Sequence, residues 1–370
     1  MRKFDERSAL CLVVLLGSLI IELFGEAPQA GDEASGPTHV NTISIGERHV
    51  LKNTRNGVFL LNKEDTYVGR SLDLYGEWCH SEVLMFKRIV RAGDVVMDVG
   101  ANIGAFSIPL AKMATPTGAL VAFEPQRQLY QLLSANVALN ELTNCFTYQK
   151  AVGRGKGIIT VPKVNYSVPG NFGGISLLEE EKWGIRGPVE VVETIMLDDL
   201  YVNGLLSKCP SFLKIDVEGM ELDVLLGSMR MIKACKPVIH VENNCKRDSK
   251  LLIDAIASFV EEEEEEDDKE GKRKGKGEAV YEIFWDVHTY FNPKNYFGHR
   301  VDIFTDGLLS MNLVCVPKRI RGDLLDYFEG RNMVKVDVSA GKYHLADYTL
   351  NWKGDNVMIE QLGNSTSCKR

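Results

Sequence analysis

The stretch Asp98-Val-Gly-Ala-Asn-Ile-Gly104 lies between a buried-strand pattern, Val95–Val99, and a helical pattern, Ile103–Met113. Its two glycines allow a tight turn, and the helix N-terminus that follows offers unpaired N–H groups, so the stretch is typical of a ligand-binding loop. A dinucleotide-binding loop has a third glycine for the pyrophosphate, which this stretch lacks. A nicotinamide-dependent oxidoreductase is therefore the less favoured of two interpretations.

Strand and helix patterns alternate along the rest of the central chain. The further strand patterns are Ala119–Phe123, Cys145–Gln149, Phe212–Asp216, Pro237–Glu242, Ile283–Val287 and Leu313–Val316. The further helix patterns are Gln126–Asn140, Met196–Val202, Met220–Lys233 and Ser249–Val260, and residues 154–194 are typical of a loop with a hairpin. This alternation predicts an α/β fold with a seven-stranded, mostly parallel, doubly wound sheet. The β-rich end of the chain predicts an antiparallel edge strand.

Two more motifs follow predicted strands. Glu124, in Phe123-Glu124-Pro125, lies 20 residues beyond Gly104, where an acid can accept hydrogen bonds from both ribose hydroxyls. Asp216 and Glu218, in Lys214-Ile-Asp-Val-Glu-Gly-Met-Glu221, follow the fourth strand, at the edge where open α/β sheets bind ligands. Capping of the next helix is the alternative role for all three acids.

These motifs, together with Thr194–Asp199, resemble the FkbM-type S-adenosylmethionine-dependent methyltransferases. Gly69–Glu77 and Tyr290–Asn295 are also similar to that family, and the resemblance covers about residues 55–318. It implies a class I methyltransferase (Rossmann-like) fold, S-adenosyl-L-methionine as cofactor, and O-methylation of a hydroxyl on a sugar or other small molecule. A catalytically inactive module that binds cofactor or glycan on the same fold is the alternative.

The resemblance also implies roles for individual residues. The loop Asp98–Gly104 would wrap the methionine part of the cofactor, Glu124 would hold the ribose, Asp216 would lie near the sulfonium, and Glu77 would close the pocket. The expected cofactor-binding residues are Glu77, Asp98, Gly100, Ala101, Asn102, Gly104, Phe106, Glu124, Pro125 and Asp216.

A hydroxyl acceptor needs a group to take its proton. The candidate bases at strand ends are Asp216, Glu218, Glu242 and His288, of which we expect Asp216, Glu218 and His288 to be catalytic. His240 is expected to be a core histidine inside its strand. The loop asparagines could bind a polyol or hold turns; these are Asn243, Asn244, Asn292 and Asn295. Asp216, Glu218 and Glu242 could together hold a metal, but their spacing is not decisive, so no metal is predicted.

Composition limits the class of protein. The chain has 370 residues, of which 45% are hydrophobic and 25% charged, and its net charge is −8. These values are close to the globular average, and the acidity disfavours nucleic acid as a partner. Residues 261–276 carry −4 of the charge, so we expect a disordered insertion at 261–277. The eight cysteines include no C-x-x-C pair and no Cys/His pairing at zinc-finger spacing, which disfavours a structural zinc site.

The N-terminus is typical of a targeting segment. Residues 9–21 are apolar and follow Arg2, Lys3 and Arg7, which predicts a signal peptide or signal anchor within 1–24; a buried helix of a cytosolic protein is the alternative. A flexible stem at 25–40, a methyltransferase domain at 41–320 and a C-terminal extension at 321–370 would follow. The expected location is the secretory pathway, with a lumenal catalytic domain or a secreted protein, where the sequons at Asn165 and Asn364 would be glycosylated. The oligomeric state is left open.

Overall fold

The computed structural model describes residues 42–175, 189–206, 208–244, 246–260, 278–304, 308–319, 321–330, 333–339, 348–353 and 356–361. The predicted targeting segment, stem and charged insertion, as well as the sequon at Asn364, lie outside these ranges. Among the described residues, no helix combines the length and apolar character needed to cross a bilayer.

A seven-stranded sheet forms the centre of the molecule. Its strands in spatial order are β12 (Tyr281–Thr289), β13 (Leu309–Pro317), β11 (Val238–Glu242), β10 (Phe212–Ile215), β4 (Val95–Val99), β5 (Ala119–Phe123) and β6 (Cys145–Tyr148). All neighbours are parallel except that β13 runs antiparallel to both β11 and β12. The predicted α/β class and strand number are confirmed, and the antiparallel strand is second from the edge.

Nine helices lie within the described residues. They are α1 (Val68–Tyr75), α2 (His80–Ile89), α3 (Ser107–Ala114), α4 (Arg127–Leu139), α5 (Leu197–Val202), α6 (Glu221–Leu226), α7 (Met229–Cys235), α8 (Lys246–Ala257) and α9 (Gly322–Gly330). Because side chains alternate across a strand, each buried strand feeds two cores. Val96 and Phe212 pack with Phe86 of α2 on one face, whereas Met97 and Leu213 pack with Ile253 of α8 on the other.

The helix predicted over Met220–Lys233 is two helices, α6 and α7, which are separated at Gly227 and Ser228. A Cβ at Gly227 would lie 2.0 Å from the carbonyl oxygen of Gly153. The chain near residue 153 therefore passes against Gly227, a close approach that helical periodicity does not reveal.

Smaller elements flank the central sheet. They are a meander of β1 (Thr42–Ile45), β2 (His49–Thr54) and β3 (Gly57–Asn62), a second sheet of β7 (Ala151–Val152), β8 (Gly157–Pro162) and β9 (Val189–Ile195), and a hairpin of β14 (Tyr348–Lys353) and β15 (Asn356–Gln361). The antiparallel β8–β9 pair is the hairpin predicted within 154–194. Beyond residue 320, Val334 and Val336 form backbone hydrogen bonds with β12, so this part of the extension packs on the central seven-stranded sheet.

Candidate active site

A cavity of about 340 Å³ opens at the carboxyl ends of β4, β5, β10 and β11. Parallel strands bring the turns that follow them to one edge of the sheet, which is why residues far apart in sequence meet here. The cavity is lined by Gly100, Ala101, Asn102 and Phe106 after β4, by Glu124 and Pro125 after β5, and by Asp216 and Glu218 after β10. These eight sequence-predicted residues are therefore brought together in the cavity.

The two glycines of the loop are required by the backbone and by packing. Gly100 has φ +85°, and a Cβ there would lie 1.7 Å from the carbonyl oxygen of Asp216. Gly104 has φ +90°, and a Cβ there would lie 2.9 Å from Leu133 in α4. Only glycine adopts such positive φ values without strain. Gly104 is absent from the cavity lining, and its contact with the cofactor stays a prediction.

Glu124 is held rigidly beside the loop. Its Oε2 accepts a hydrogen bond of 2.8 Å from the backbone N–H of Asn102, and its Oε1 accepts one of 2.8 Å from that of Gln126. The side chain is 4% exposed. Burial raises the pKa of Glu124 to about 7 although both hydrogen bonds oppose the shift. The carboxylate thus accepts the backbone N–H of Gln126, directly before α4, and also lines the cavity; its contact with ribose stays a prediction.

Asp98 does not line the cavity, and its predicted contact with the cofactor stays a prediction. It shares the β4 face with Val96 and is completely buried, where Oδ2 accepts a 2.6 Å hydrogen bond from the Ser107 hydroxyl of α3. Its partner across the sheet is Lys214, with Nζ 3.7 Å from Oδ1. Asp98 therefore fixes the start of α3 and the lysine, because an acid at this position of the strand points into the core.

Lys214 is a cavity residue to which sequence reasoning gave no role. Its ammonium lies 3.1 Å from Asp216 Oδ2 and 5.0 Å from the centre of the Phe106 ring. Burial opposes its charge, but the carboxylates of Asp216 and Asp98 raise the pKa of Lys214. Lys214 lies two residues before Asp216, and residues two apart along an extended chain point to the same side. This spacing could have predicted the contact between Lys214 and Asp216.

Three carboxylates meet after β10 and β11, which lie on the other side of β4 in the strand order from β5, the strand that precedes Glu124. One oxygen each from Asp216, Glu218 and Glu242 lies within 4.8 Å of the others. Burial, followed by the neighbouring charges of Glu218 and Asp216, raises the pKa of Glu242 well above its ordinary value. Asn244 donates a hydrogen bond to Glu242 and also lines the cavity. A carboxyl group with a raised pKa is a stronger base in its ionised form than an ordinary carboxylate.

An aromatic wall, made of Tyr67, Trp78 and Tyr290, lines the same cavity. Trp78 and Tyr290 are stacked with ring centres 5.0 Å apart, and Tyr67 meets Tyr290 edge-on at 6.5 Å. Such rings can pack against the C–H face of a ligand and exclude water. Their sequence positions gave no periodic signal, because they come from three separate segments.

His288 was expected to be a catalytic base, and its placement argues against that role. It belongs to β12, is absent from the cavity lining, and pairs with Glu82 of α2 through Nε2 and with Asp286 through Nδ1 at 3.4 Å. Burial opposes its charge, but Asp286 and Glu82 raise the pKa of His288 well above the ordinary value. A histidine that keeps its proton cannot accept another one. His240 is buried in β11 against Asp286, which confirms its expected core position.

Glu77 is also absent from the cavity lining, and its expected role in closing the pocket stays a prediction. It is 3% exposed and accepts hydrogen bonds from Arg55 at 2.6 Å, Asn292 at 2.7 Å and the backbone N–H of Tyr296 at 3.0 Å. These bonds join the β2–β3 hairpin to the loop after β12. Asn292 is thus structural, as are two other candidate asparagines, Asn295, which bonds His299 O, and Asn243, which bonds Ser249.

The chain was compared with known proteins. A sequence model described as the methyltransferase FkbM domain matches residues 98–269. The hexuronic acid methyltransferase AglP of Haloferax volcanii is 28% identical over 201 residues, covering 52% of this chain and 74% of that protein. Methyltransferase sdnD of Sordaria araneosa is 34% identical over 159 residues, covering 36% of this chain and 59% of that protein, which is less than two thirds of its length.

Among solved structures, a methyltransferase FkbM from Methylobacillus flagellatus matches with a TM-score of 0.36 and 17% identity. The match covers 60% of this chain and 43% of that one. The α/β fold with its mostly parallel seven-stranded sheet follows from the strand order alone. The family match includes the glycine loop, Glu124 and the Lys214–Glu221 motif. Residues 98–269 therefore match the FkbM methyltransferase domain, which confirms the resemblance that the motifs predicted.

Proposed function

We propose that the protein is an S-adenosylmethionine-dependent O-methyltransferase that acts on a hydroxyl group of a sugar or another small molecule. The observation that carries this proposal is that one cavity is lined both by Glu124, after β5, and by the three-carboxylate group, after β10 and β11 on the other side of β4 in the strand order. One side offers acceptors for ribose hydroxyls, and the other offers negative charge and a proton acceptor. The family match supports methyl transfer as the reaction.

The cavity residues fit this cofactor by their chemistry. Each oxygen of Glu124 accepts one backbone N–H, and a carboxylate oxygen has a second lone pair that can accept a ribose hydroxyl. The loop residues Gly100 and Ala101 would lie along the methionine part, and Asp216 would supply negative charge near the sulfonium. When bound, S-adenosylmethionine supplies an electrophilic methyl group carried by positively charged sulfur.

The protein's own residues would position the acceptor and take its proton. Glu242 is our candidate for the base, since it lines the cavity beside Asp216 and Glu218 and its ionised form, with a raised pKa, is a stronger proton acceptor than an ordinary carboxylate. Lys214 holds Asp216 in place through the 3.1 Å contact. The aromatic wall would exclude water and pack against the acceptor. Positioning of this kind supplies much of the rate in displacement reactions.

A sugar acceptor is favoured by two observations. The Haloferax volcanii relative is named a hexuronic acid methyltransferase. The cavity of this chain combines an aromatic wall with the polar side chains of Gln126, Asn171 and Asn244, a mixture that suits a ring with both C–H faces and hydroxyls. We infer a carbohydrate or polyol partner on this basis.

The experiment is a transfer assay with the full chain, isotope-labelled S-adenosylmethionine and a panel of sugars, glycosides and polyols, read by mass spectrometry. A labelled methyl ether on a panel member supports the proposal. Cofactor binding without any labelled product would instead support the inactive binding module.

An oxidising compartment is also part of the proposal. A disulfide joins Cys209, which precedes β10, to Cys235 at the end of α7, and such bonds persist mainly in secreted or lumenal proteins. Asn165, in an exposed sequon, would then carry a glycan. Non-reducing peptide mapping of protein from its native source tests both points, and two free thiols at Cys209 and Cys235 would contradict the proposed location.

A further inference from the structure

A second cluster of reactive side chains lies behind the aromatic wall, outside the cavity lining. Cys79, Glu82 and His288 each offer one ligand atom, and these three atoms lie within 4.8 Å of one another. Cys79 and Glu82 are each 3% exposed. A sulfur, an oxygen and a nitrogen that converge in a buried place form the kind of donor set that binds zinc.

The chain builds this cluster from α2 and β12. Cys79 and Glu82 are three residues apart at the start of α2, a spacing that places both on one face of the first turn. Cys79 has φ +39°, an uncommon backbone conformation for a residue other than glycine. His288 comes from β12, 206 residues beyond Glu82, so ligand spacing in the sequence could not reveal the set.

The surroundings of His288 are those of a metal-binding histidine. Its Nε2 faces Glu82, while its Nδ1 lies 3.4 Å from a carboxylate oxygen of Asp286. Histidines that bind metals commonly pair their second ring nitrogen with a carboxylate in this way. Asp286 is itself fixed by His240 at 3.2 Å, and Glu82 accepts a 3.1 Å hydrogen bond from Ser310.

We propose that Cys79, Glu82 and His288 bind a divalent zinc-type metal ion, with Asp286 orienting the His288 ring. Tetrahedral zinc with bonds of 2.0–2.3 Å needs ligand atoms roughly 3.3–3.8 Å apart, so the ligands would move by about 1 Å at most. This site is separate from the carboxylates of the cavity and does not depend on the proposed function.

The exchange of protons for metal balances the buried charge. A metal binds the deprotonated thiolate and the neutral imidazole, so a proton on either group must leave when the ion binds. A divalent ion that displaces the thiol proton and the imidazolium proton releases two protons and leaves the net charge of the cluster unchanged. Metal binding should therefore weaken as pH falls.

The ion would join the two segments that carry the aromatic wall. Trp78 directly precedes Cys79, and Tyr290 lies two residues after His288. A metal that ties α2 to β12 would hold the stacked Trp78–Tyr290 pair in place. We therefore expect metal removal to lower the melting temperature of the protein and to make the Trp78–Tyr290 pair of the aromatic wall more mobile.

The test is metal analysis of the full chain after dialysis against zinc, together with the absorption spectrum of the cobalt-substituted protein. We expect about one zinc per chain and a thiolate-to-cobalt band in the near ultraviolet, both lost in Cys79→Ser and His288→Ala. Cys145→Ser is the matched control, because Cys145 is a free thiol on β6, and it should keep both signals. Asp286→Asn should bind zinc about 10–100-fold more weakly, as expected for a residue that orients a ligand.

Circular dichroism of each variant separates loss of metal from loss of fold. Wild-type protein that takes up no zinc, or a cobalt band that survives in folded Cys79→Ser, would overturn the proposal. If Cys79→Ser and His288→Ala do not fold, the spectrum of the cobalt-substituted wild-type protein tests the proposal. A cobalt spectrum without a thiolate band would then overturn the proposal. Metal content is measured without any methyl acceptor, so a failed transfer assay leaves this test intact.

Discussion

Substitution of Glu124 by glutamine should weaken binding of S-adenosylmethionine and remove its pH dependence. The carboxylate accepts one backbone N–H at each oxygen and is 4% exposed. Glutamine keeps one acceptor oxygen but turns an NH₂ group towards either Asn102 N–H or Gln126 N–H, so one hydrogen bond is lost there. Loss of a charge-assisted bond to ribose would cost about 1.5–3 kcal/mol, which is roughly 10- to 150-fold in the dissociation constant.

The pKa of about 7 for Glu124 gives the pH dependence its size and sign. Hydroxyl donors bind the ionised form better, so cofactor affinity should rise with pH. With a pKa near 7, about nine-tenths of the carboxyl groups are protonated at pH 6 and about one-tenth at pH 8. Affinity should therefore increase about tenfold between these values, and binding at pH 6 should release close to one proton from this group.

The assay is isothermal titration calorimetry at pH 6, 7 and 8 in buffers that differ in ionisation enthalpy, which yields both affinity and proton release. Other acids of the cavity also titrate, so the informative quantity is the difference between wild type and Glu124→Gln. Glu47→Gln, at an exposed carboxyl in the turn between β1 and β2, is the control and should match wild type. Equal affinities and equal proton release in wild type and Glu124→Gln would refute the assignment of Glu124 to ribose.

Three further variants test other parts of the account. Gly100→Ala should abolish cofactor binding, because its Cβ would lie 1.7 Å from the carbonyl oxygen of Asp216 at φ +85°; calorimetry checks this, and normal affinity would contradict the packing argument. Glu242→Gln should lower kcat by about 10²–10⁴-fold with cofactor affinity retained, as measured by transfer kinetics, and an unchanged kcat would exclude Glu242 as the base. Glu77→Ala should lower the free energy of unfolding by about 1–3 kcal/mol, since it removes the buried acceptor of the hydrogen bonds from Arg55, Asn292 and the Tyr296 N–H; denaturant unfolding measures this, and weakened cofactor binding in the folded variant would show that Glu77 also serves the cofactor pocket.

The strands that carry the site could be predicted from local sequence. Val95–Val99 and Ala119–Phe123 have the predicted bounds, because a parallel strand buried on both faces is a short apolar run between turn residues. The glycine loop and Glu124 follow directly from those strands. Their meeting at one sheet edge needed only the alternation of strand and helix.

The remaining site residues depend on contacts between distant segments. Asp98 has the sequence context of a loop acid, yet strand alternation directs it to the core beside Ser107. His288 was expected to end a strand, but β12 continues to Thr289 through its pairing with β13, and Glu82 from α2 then pairs with it. The aromatic wall likewise joins three segments, and no pattern in a single sequence connects them.

The most direct test of the central claim is methyl transfer by the wild-type chain and by Glu242→Gln, with labelled S-adenosylmethionine and the carbohydrate panel. The account predicts a labelled methyl ether with wild type, at least a hundredfold less with Glu242→Gln, and equal cofactor binding by the two proteins. Absence of cofactor binding by folded wild-type protein, or equal turnover by both proteins, would contradict the account.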